Sequence, residues 1–288
     1  MMALFRALRP KQWLKNVLVF AAPGAAGVLD DGSDLLTTFV AFIAFCLAAS
    51  GIYVWNDVHD IEADRLHPKK RHRPFASGLV SVSVGRAMGV VLPVASLGVA
   101  ALTGRWQTVA IVGVYIVVTL SYTFGLKEVA IIDLLTVASG FVLRAAAGAV
   151  AVDVPMSRWF VLCITFGSLF IVIGKRYAEL NEVGIAAGTR TTLDTYTPGF
   201  LRMLLSASLA GALISYCVWA FETAEDEAIT LPLYELTIVP MIAALFRYLL
   251  VLERGEGSAP EEVFARDRVL QLAGLIWIII YGVAVYTA

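Results

Sequence analysis

The sequence predicts an all-α integral membrane protein, a nine-helix transmembrane bundle with its amino terminus in the cytoplasm. Three observations carry this expectation. Apolar residues make up 59% of the 288 residues and charged residues only 16%, far from the balance of a soluble domain. The apolar residues fall in successive blocks of about twenty, the length that crosses a hydrocarbon core. The charges between the blocks are sorted by sign.

Taken in order, the first block, 17–28, is the shortest. It follows Arg6, Arg9, Lys11 and Lys15 in a way that imitates a signal peptide. Because the rest of the chain is itself membrane-embedded, it is read as a first span, bent near Pro23-Gly24. The blocks 35–55, 84–103, 106–124, 129–152, 159–174, 200–221, 231–246 and 269–287 follow, each a candidate crossing. No intervening stretch is long enough for a soluble domain, so residues 1–288 form one polytopic membrane domain. Its cytoplasmic loops at about 56–80 and 175–199 are long for a compact bundle, as lids and binding loops are. With nine crossings, segments 1–15, 56–86, 125–128, 175–202 and 247–268 face the cytoplasm. They hold all of the 22 lysines and arginines except Arg105, Arg144 and Arg158. The outside loops instead carry Asp30, Asp31, Asp34, Glu225, Asp226 and Glu227. Inverting the topology would reverse this asymmetry. A multi-pass protein of the plasma membrane follows, with its functional loops inside.

The formal net charge of −1 says nothing about partners. Cys46, Cys163 and Cys217 lie singly in separate apolar blocks without zinc-type spacing, as small core or lipid-facing residues do. His59, His67 and His72 have no helical spacing that implies a metal site. There is no Walker loop, no GxGxxG after a strand and no Ser/His/Asp arrangement. Nothing resembles a nucleic-acid module, so the lipid bilayer is the one partner that composition demands. Assembly as a homo-oligomer is compatible with the sequence.

The most informative stretch is Asn56-Asp57-Val58-His59-Asp60-Ile61-Glu62-Ala63-Asp64, at the cytoplasmic end of the second block. On a helix Asp57, Asp60 and Asp64 share one face, with Asn56 at its edge and Tyr53 one turn earlier. Carboxylates crowded this way repel unless a cation neutralises them. A divalent metal meets that need, and Mg²⁺ takes one or two carboxylates plus phosphate oxygens and water. Asn56, Asp57, Asp60 and Asp64 are therefore the candidate metal ligands. The sixth block likewise runs into Gly174-Lys175-Arg176-Tyr177-Ala178-Glu179, where Lys175 and Glu179 share a face.

Cations flank these runs from several segments. Singly, each basic residue reads as an interface anchor or topology signal. Together, Lys11, Lys15, Lys69, Lys70, Arg71, Arg73, Lys127, Lys175, Arg176 and Arg190 form the ring that a ligand with several phosphates requires. Arg144 lies inside the hydrocarbon region, on one face with Asp133, Val137, Gly140 and Gly148. An intramembrane charge marks either a paired structural site or the wall of a cavity that admits a lipid headgroup. The residues leave both readings open.

These residues resemble the UbiA superfamily of intramembrane prenyltransferases over essentially the whole chain. Asn56-Asp57-x-x-Asp60-x-x-x-Asp64 matches its first aspartate-rich motif in full. The resemblance implies a nine-helix UbiA-type bundle with a cytoplasmic-side active-site cavity and a Mg²⁺-dependent diphosphate site. The second motif, DxxxD, is replaced by Lys175-x-x-x-Glu179, so one carboxylate has become a cation. That departure argues against a second magnesium site and against a prenyl diphosphate as electrophile.

Within that superfamily, closer similarity is to the decaprenyl-phosphate phosphoribosyltransferase branch. The similarity runs through Arg9-Pro10-Lys11-Gln12-Trp13-Leu14-Lys15-Asn16, His67-Pro68-Lys69-Lys70-Arg71, Arg73-Pro74-x-Ala76-Ser77-Gly78, Gly140-Phe141-x-x-Arg144 and Gly174-Lys175-Arg176-x-x-Glu179. The branch implies transfer of 5-phosphoribose from 5-phosphoribosyl 1-diphosphate (PRPP) to a polyprenyl (decaprenyl) phosphate, releasing diphosphate. Its product serves cell-wall arabinan synthesis. On that reading Asp57, Asp60 and Asp64 with Lys175 form the catalytic set. Lys15, Tyr53, Lys69, Lys70, Arg73, Lys127, Arg144, Lys175, Arg176, Glu179 and Arg190 contact substrates.

Two rival readings have weaker support. A UbiA-type prenyltransferase with a prenyl diphosphate donor and an aromatic or haem acceptor is disfavoured by Lys175. A lipid transporter or flippase is disfavoured because the charges gather at one membrane face.

Overall fold

The structure is a computed structural model and describes residues 2–66, 70–183, 195–226 and 231–287, all helices and turns with no strand among them. Eight helical segments are long and apolar enough to cross a membrane, from Gly32–His59 to Arg268–Thr287. The helices fall into two compact units. One comprises Met1–Phe124 with Leu143–Pro155, the other Gly125–Val142 with Met156–Ala288.

The first unit opens with α1 (Met2–Ala7), a 3₁₀ helix (Pro10–Phe20) and α2 (Ala21–Ala25). The sequence predicts a first membrane helix over 17–28. In its place the structure has the end of this 3₁₀ run and a five-residue α-helix containing Pro23 and Gly24. Proline removes a donor and glycine has the poorest helix propensity after it, so an α-helix does not propagate here. After the short 3₁₀ turn Val28–Asp30, α3 (Gly32–His59) begins at Asp31. The Asp31 side chain accepts from the amides of Ser33 at 2.7 Å and Asp34 at 3.2 Å, an N-cap. These bonds, with the Ser33 hydroxyl foremost, hold its carboxyl below the usual range.

α4 (Ile61–Leu66), α5 (Val82–Ala101) and α6 (Trp106–Phe124) complete the unit with the second half of α7 (Ile132–Ala151). α5 lies close against α3 because its buried face carries Gly85, Gly89, Pro93, Ser96 and Ala100. A Cβ at Gly89 would meet the Trp55 ring at 2.7 Å, and one at Gly51 would strike the ring of Pro93. Phe45, Ala48, Ile52, Val112 and Tyr115 form the core between the helices. The opposite face of α5 exposes Val90, Val91 and Val94, as a lipid-facing surface does.

The second unit holds the first half of α7, then α8 (Arg158–Val183), α9 (Pro198–Asp226), α10 (Leu233–Leu236), α11 (Ile238–Glu253), α12 (Pro260–Arg266) and α13 (Arg268–Thr287). α8 runs well past the apolar block 159–174 into the charged stretch, unbroken as expected from the absence of breakers. Its core gathers Leu134, Phe170, Ile173, Leu201, Leu205, Tyr248 and Leu252. Small residues again set the spacing. A Cβ at Gly174 would meet Leu252 at 2.6 Å, and one at Gly211 would meet the Phe166 ring at the same distance.

Candidate active site

The acidic run straddles a break. α3 closes at Asp60, whose amide donates to the Asn56 carbonyl at 2.9 Å, and α4 restarts at Ile61. Asp57 and Asp64 stay on the inner side and are each 2% exposed. Asp60 departs from the single face that helical spacing predicts. It is more than a third exposed and lies 3.1 Å from His59 Nδ1. Asn56 is half-buried.

Two arginines converge on the buried pair. Arg73 Nη1 lies 3.1 Å from Asp57 Oδ1 and 2.7 Å from Asp64 Oδ2. Arg9 Nη2 also contacts Asp57 Oδ1. Arg9 adopts φ 52°, in the left-handed region unusual for a side-chain-bearing residue. Its guanidinium lies 5.0 Å above the Tyr53 ring, a cation–π contact. Two residues after Arg73, Phe75 is buried with Ala7, Val54 and Val80. A Cβ at Gly85 would meet that Phe75 ring at 2.7 Å, so α5 leaves a seat for it.

The 3₁₀ helix that follows Arg9 is fastened on two sides. Trp13 Nε1 donates to Ser50 Oγ at 3.0 Å, and Ser50 donates to the Leu8 carbonyl at 2.9 Å. Asn16 Nδ2 donates to Cys46 Sγ at 3.2 Å. From α7, Arg144 Nε donates to Asn16 Oδ1 at 2.7 Å and Nη2 to Tyr115 OH at 3.0 Å. Its guanidinium also lies 4.8 Å over the Tyr115 ring. One turn further along α7, a Cβ at Gly148 would collide with the Val19 carbonyl. Lys15 projects from this helix, half-buried, and donates to Gln12 Oε1.

In the second unit, Lys175 Nζ lies 3.9 Å from Glu179 Oε1. Arg176 is buried, bonded from Nε to Asp133 Oδ2 at 3.1 Å and from Nη1 to Glu179 Oε2 at 2.8 Å. Tyr196 donates to Asp133 Oδ1 at 2.6 Å and accepts from the Ile131 amide at 2.7 Å. Burial, followed by the bond to Asp133, pushes the Tyr196 phenol up to about 12, so it remains a donor at working pH. Ile131 has φ 69°, strained for a β-branched residue, and that amide bond helps hold it there.

Of the residues expected from sequence, the first unit brings Asp57, Asp64, Arg73 and Tyr53 together, and the second brings Lys175, Arg176 and Glu179 together. Lys70 begins a short 3₁₀ turn, Lys70–His72, and is exposed; Lys127 is half-buried in another, Leu126–Glu128. Lys69 and Arg190 lie outside the described residues. Sequence reasoning missed Arg9, Asn16 and Tyr196 as site-forming side chains. Arg9-Pro10 carried a usable signal, a cation placed just before a proline that starts a helix. Asn16 carried only its place at the end of the same similarity segment, and Tyr196 carried none.

The donor chemistry suits a hard divalent cation. Two carboxylates on neighbouring helices reach one point, and every candidate ligand is oxygen. Among the described residues no three acidic, histidine or cysteine side chains converge as a ready cluster. Magnesium commonly uses only one or two carboxylates and completes its shell from phosphate and water, so the pair is sufficient.

Paired buried carboxylates beside arginines, in a protein of long apolar helices, suit a membrane protein that binds a metal-bound phosphate group. Comparison with known proteins gives the family. The UbiA prenyltransferase family matches residues 17–284, and the chain belongs to it. A decaprenyl-phosphate phosphoribosyltransferase from Corynebacterium glutamicum is 42% identical over 287 residues, covering 98% of this chain and 86% of that protein. One from Mycolicibacterium smegmatis is 43% identical over 297 residues, covering 98% and 92%. The structure of a UbiA homolog from Archaeoglobus fulgidus, bound to GPP and Mg²⁺, has a TM-score of 0.74 at 19% identity, covering 99% of this chain and 100% of that one. The chain therefore has an all-helical UbiA membrane fold.

Proposed function

We propose that this protein transfers 5-phosphoribose from PRPP to a polyprenyl phosphate, decaprenyl phosphate by analogy, with release of diphosphate. The observation that carries the reading is the identity of 42–43% over nearly the whole chain to decaprenyl-phosphate phosphoribosyltransferases. Lys175, standing where most of the superfamily has an aspartate, supports a donor with more than one phosphate group.

Asp57 and Asp64 would hold Mg²⁺ on the donor diphosphate, with Asn56 and Asp60 completing the set. Bound there, the metal neutralises charge that builds on the leaving group. Arg73, Arg9, Lys15, Lys69 and Lys70 bind phosphate oxygens, and Lys175 and Arg190 hold the 5-phosphate or the lipid phosphate. Lys127 would face the lipid phosphate. Arg176 is committed to Asp133 and Glu179, so its role is to orient Glu179 and, through α8, its neighbour Lys175. Arg144 fixes the 3₁₀ helix that presents Lys15, and Tyr53 supports the Arg9 guanidinium. The acceptor phosphate is largely ionised at neutral pH, so attack at the anomeric carbon needs no general base.

The same reading assigns one polytopic plasma-membrane domain with a cytoplasmic active-site cavity, feeding arabinan precursor synthesis. Its ninth crossing would be the amino-terminal segment 17–28, shorter than the other blocks and bent near Pro23-Gly24.

The test is purified protein with labelled PRPP, decaprenyl phosphate and Mg²⁺, followed by extraction of the lipid. Label in lipid-linked ribose phosphate supports the reading. No label, alongside turnover of a prenyl diphosphate with an aromatic acceptor, would replace it with prenyl transfer.

A further inference from the structure

Arg73 Nη1 occupies the place a metal ion would take between Asp57 and Asp64, bonded to an oxygen of each. The two carboxylates are almost wholly buried, whereas the Arg73 and Arg9 side chains are 30% and 25% exposed. The anions are fixed on α3 and α4; the cations are each open on one side. Two guanidiniums balance two carboxylates, so the cluster is already neutral. A divalent ion brought to these oxygens would add two positive charges beside two others, and Coulomb repulsion opposes this at such short range.

The geometry points to a cation exchange, resting on the metal–diphosphate reading above. Arg73 and Arg9 are internal counter-ions to Asp57 and Asp64 when no donor is bound, Arg73 bridging the two. When Mg²⁺–diphosphate enters, the metal takes the carboxylates and the guanidiniums turn to the diphosphate oxygens. Charge balances on both sides of the exchange: two positive charges replace two at the carboxylates, and the freed guanidiniums meet new anions. Arginine suits the second role because its planar fork matches phosphate as well as carboxylate. Lysine at position 73 would offer a point charge and lose the fork.

The exchange makes metal and diphosphate bind as one event. Metal alone faces the resident cations, while metal with diphosphate gives them a new partner. The coupling is reciprocal by thermodynamic linkage.

The experiment is a Mn²⁺ titration of the full-length protein in nanodiscs, followed by electron paramagnetic resonance, with and without PRPP. Wild type should bind Mn²⁺ weakly alone and at least about tenfold more tightly with PRPP. Arg73→Met should bind Mn²⁺ alone at least about tenfold more tightly than wild type, and should lose most of the PRPP enhancement. Arg9→Met, whose guanidinium reaches Asp57 only, should show the same pattern at smaller size and covers the case in which Arg73→Met does not fold. An unchanged or weaker affinity for Mn²⁺ alone in the folded variants overturns the exchange while leaving the transferase reading intact. Wild type that binds no Mn²⁺ even with PRPP overturns both.

Discussion

Arg176 and Asp133 are paired inside the second unit, Nε to Oδ2 at 3.1 Å, with neither side chain more than 4% exposed. Asp133 also receives the Tyr196 hydroxyl, and Arg176 also holds Glu179. The four side chains tie the start of α7, the end of α8 and the residue two before α9 into one polar knot within an apolar core.

Removing one member strands the others. Arg176→Met should lower stability by about 3–5 kcal/mol, since an uncompensated buried charge remains. The double variant Asp133→Asn with Arg176→Met should recover much of that loss. Thermal unfolding in detergent measures both, and a single variant as stable as wild type would show that the pair is dispensable.

Gly148→Ala probes the seat of the amino-terminal 3₁₀ helix. The obstacle is the Val19 backbone carbonyl, which cannot rotate away as a side chain would. The expected cost is about 1–3 kcal/mol from overpacking. Limited proteolysis should show earlier cleavage within residues 8–30 while helical content by circular dichroism stays constant. Unchanged proteolysis would mean that the segment is not seated through Gly148.

The three aspartates of the run should not be equivalent. Asp57→Asn and Asp64→Asn remove buried carboxylates that share Arg73, and each should cut PRPP turnover by about a hundredfold or more. Asp60→Asn alters a partly exposed side chain beside His59 and should cost less. Equal losses at all three positions would argue that Asp60 turns inward in the working enzyme. Full Mg²⁺-dependent turnover with Asp60→Asn would remove it from the metal set.

Asp267 caps α13, accepting from the amides of Val269 and Leu270, each at 3.0 Å. Its bond from Arg247, then that from the Leu270 amide, hold its carboxyl below the ordinary carboxylate value. The folded value is therefore the lower one. The stabilisation is complete above about pH 4 and fades as pH falls through the folded value. Melting temperature should drop on the acid side of pH 4, and Asp267→Asn should flatten that drop. A variant with the same acid slope as wild type would assign the slope to other carboxylates.

Much of the bundle was legible because hydrocarbon thickness imposes a length on apolar blocks. The block 106–124 coincides with α6, and 35–55 lies inside α3. The amino-terminal segment was not legible, because length and periodicity rules assume α-helical rise. Its 3₁₀ run is contacted by Arg144, Gly148 and Ser50, all distant in sequence. Asp57, Asp64 and Arg73 could be found through local spacing and charge. Arg9 reaches Asp57 across 48 positions, a contact no periodicity reports. Asp133 lies on one helical face with Arg144, yet the tertiary fold gives it Arg176 instead. Helical spacing ranks neighbours on one helix and is silent about the helix beside it.

The eleven residues Pro10–Phe20 are wound tighter and longer than an α-helix of the same sequence would be. Rewound as α, they would shorten by about 5 Å. With Val19 held against Gly148 of α7, that shortening would draw Arg9 off Asp57 by more than the reach of a hydrogen bond. Pitch, as much as side-chain identity, therefore sets whether this carboxylate is capped. Substitutions along the segment that favour α winding would act on the acidic pair without touching it.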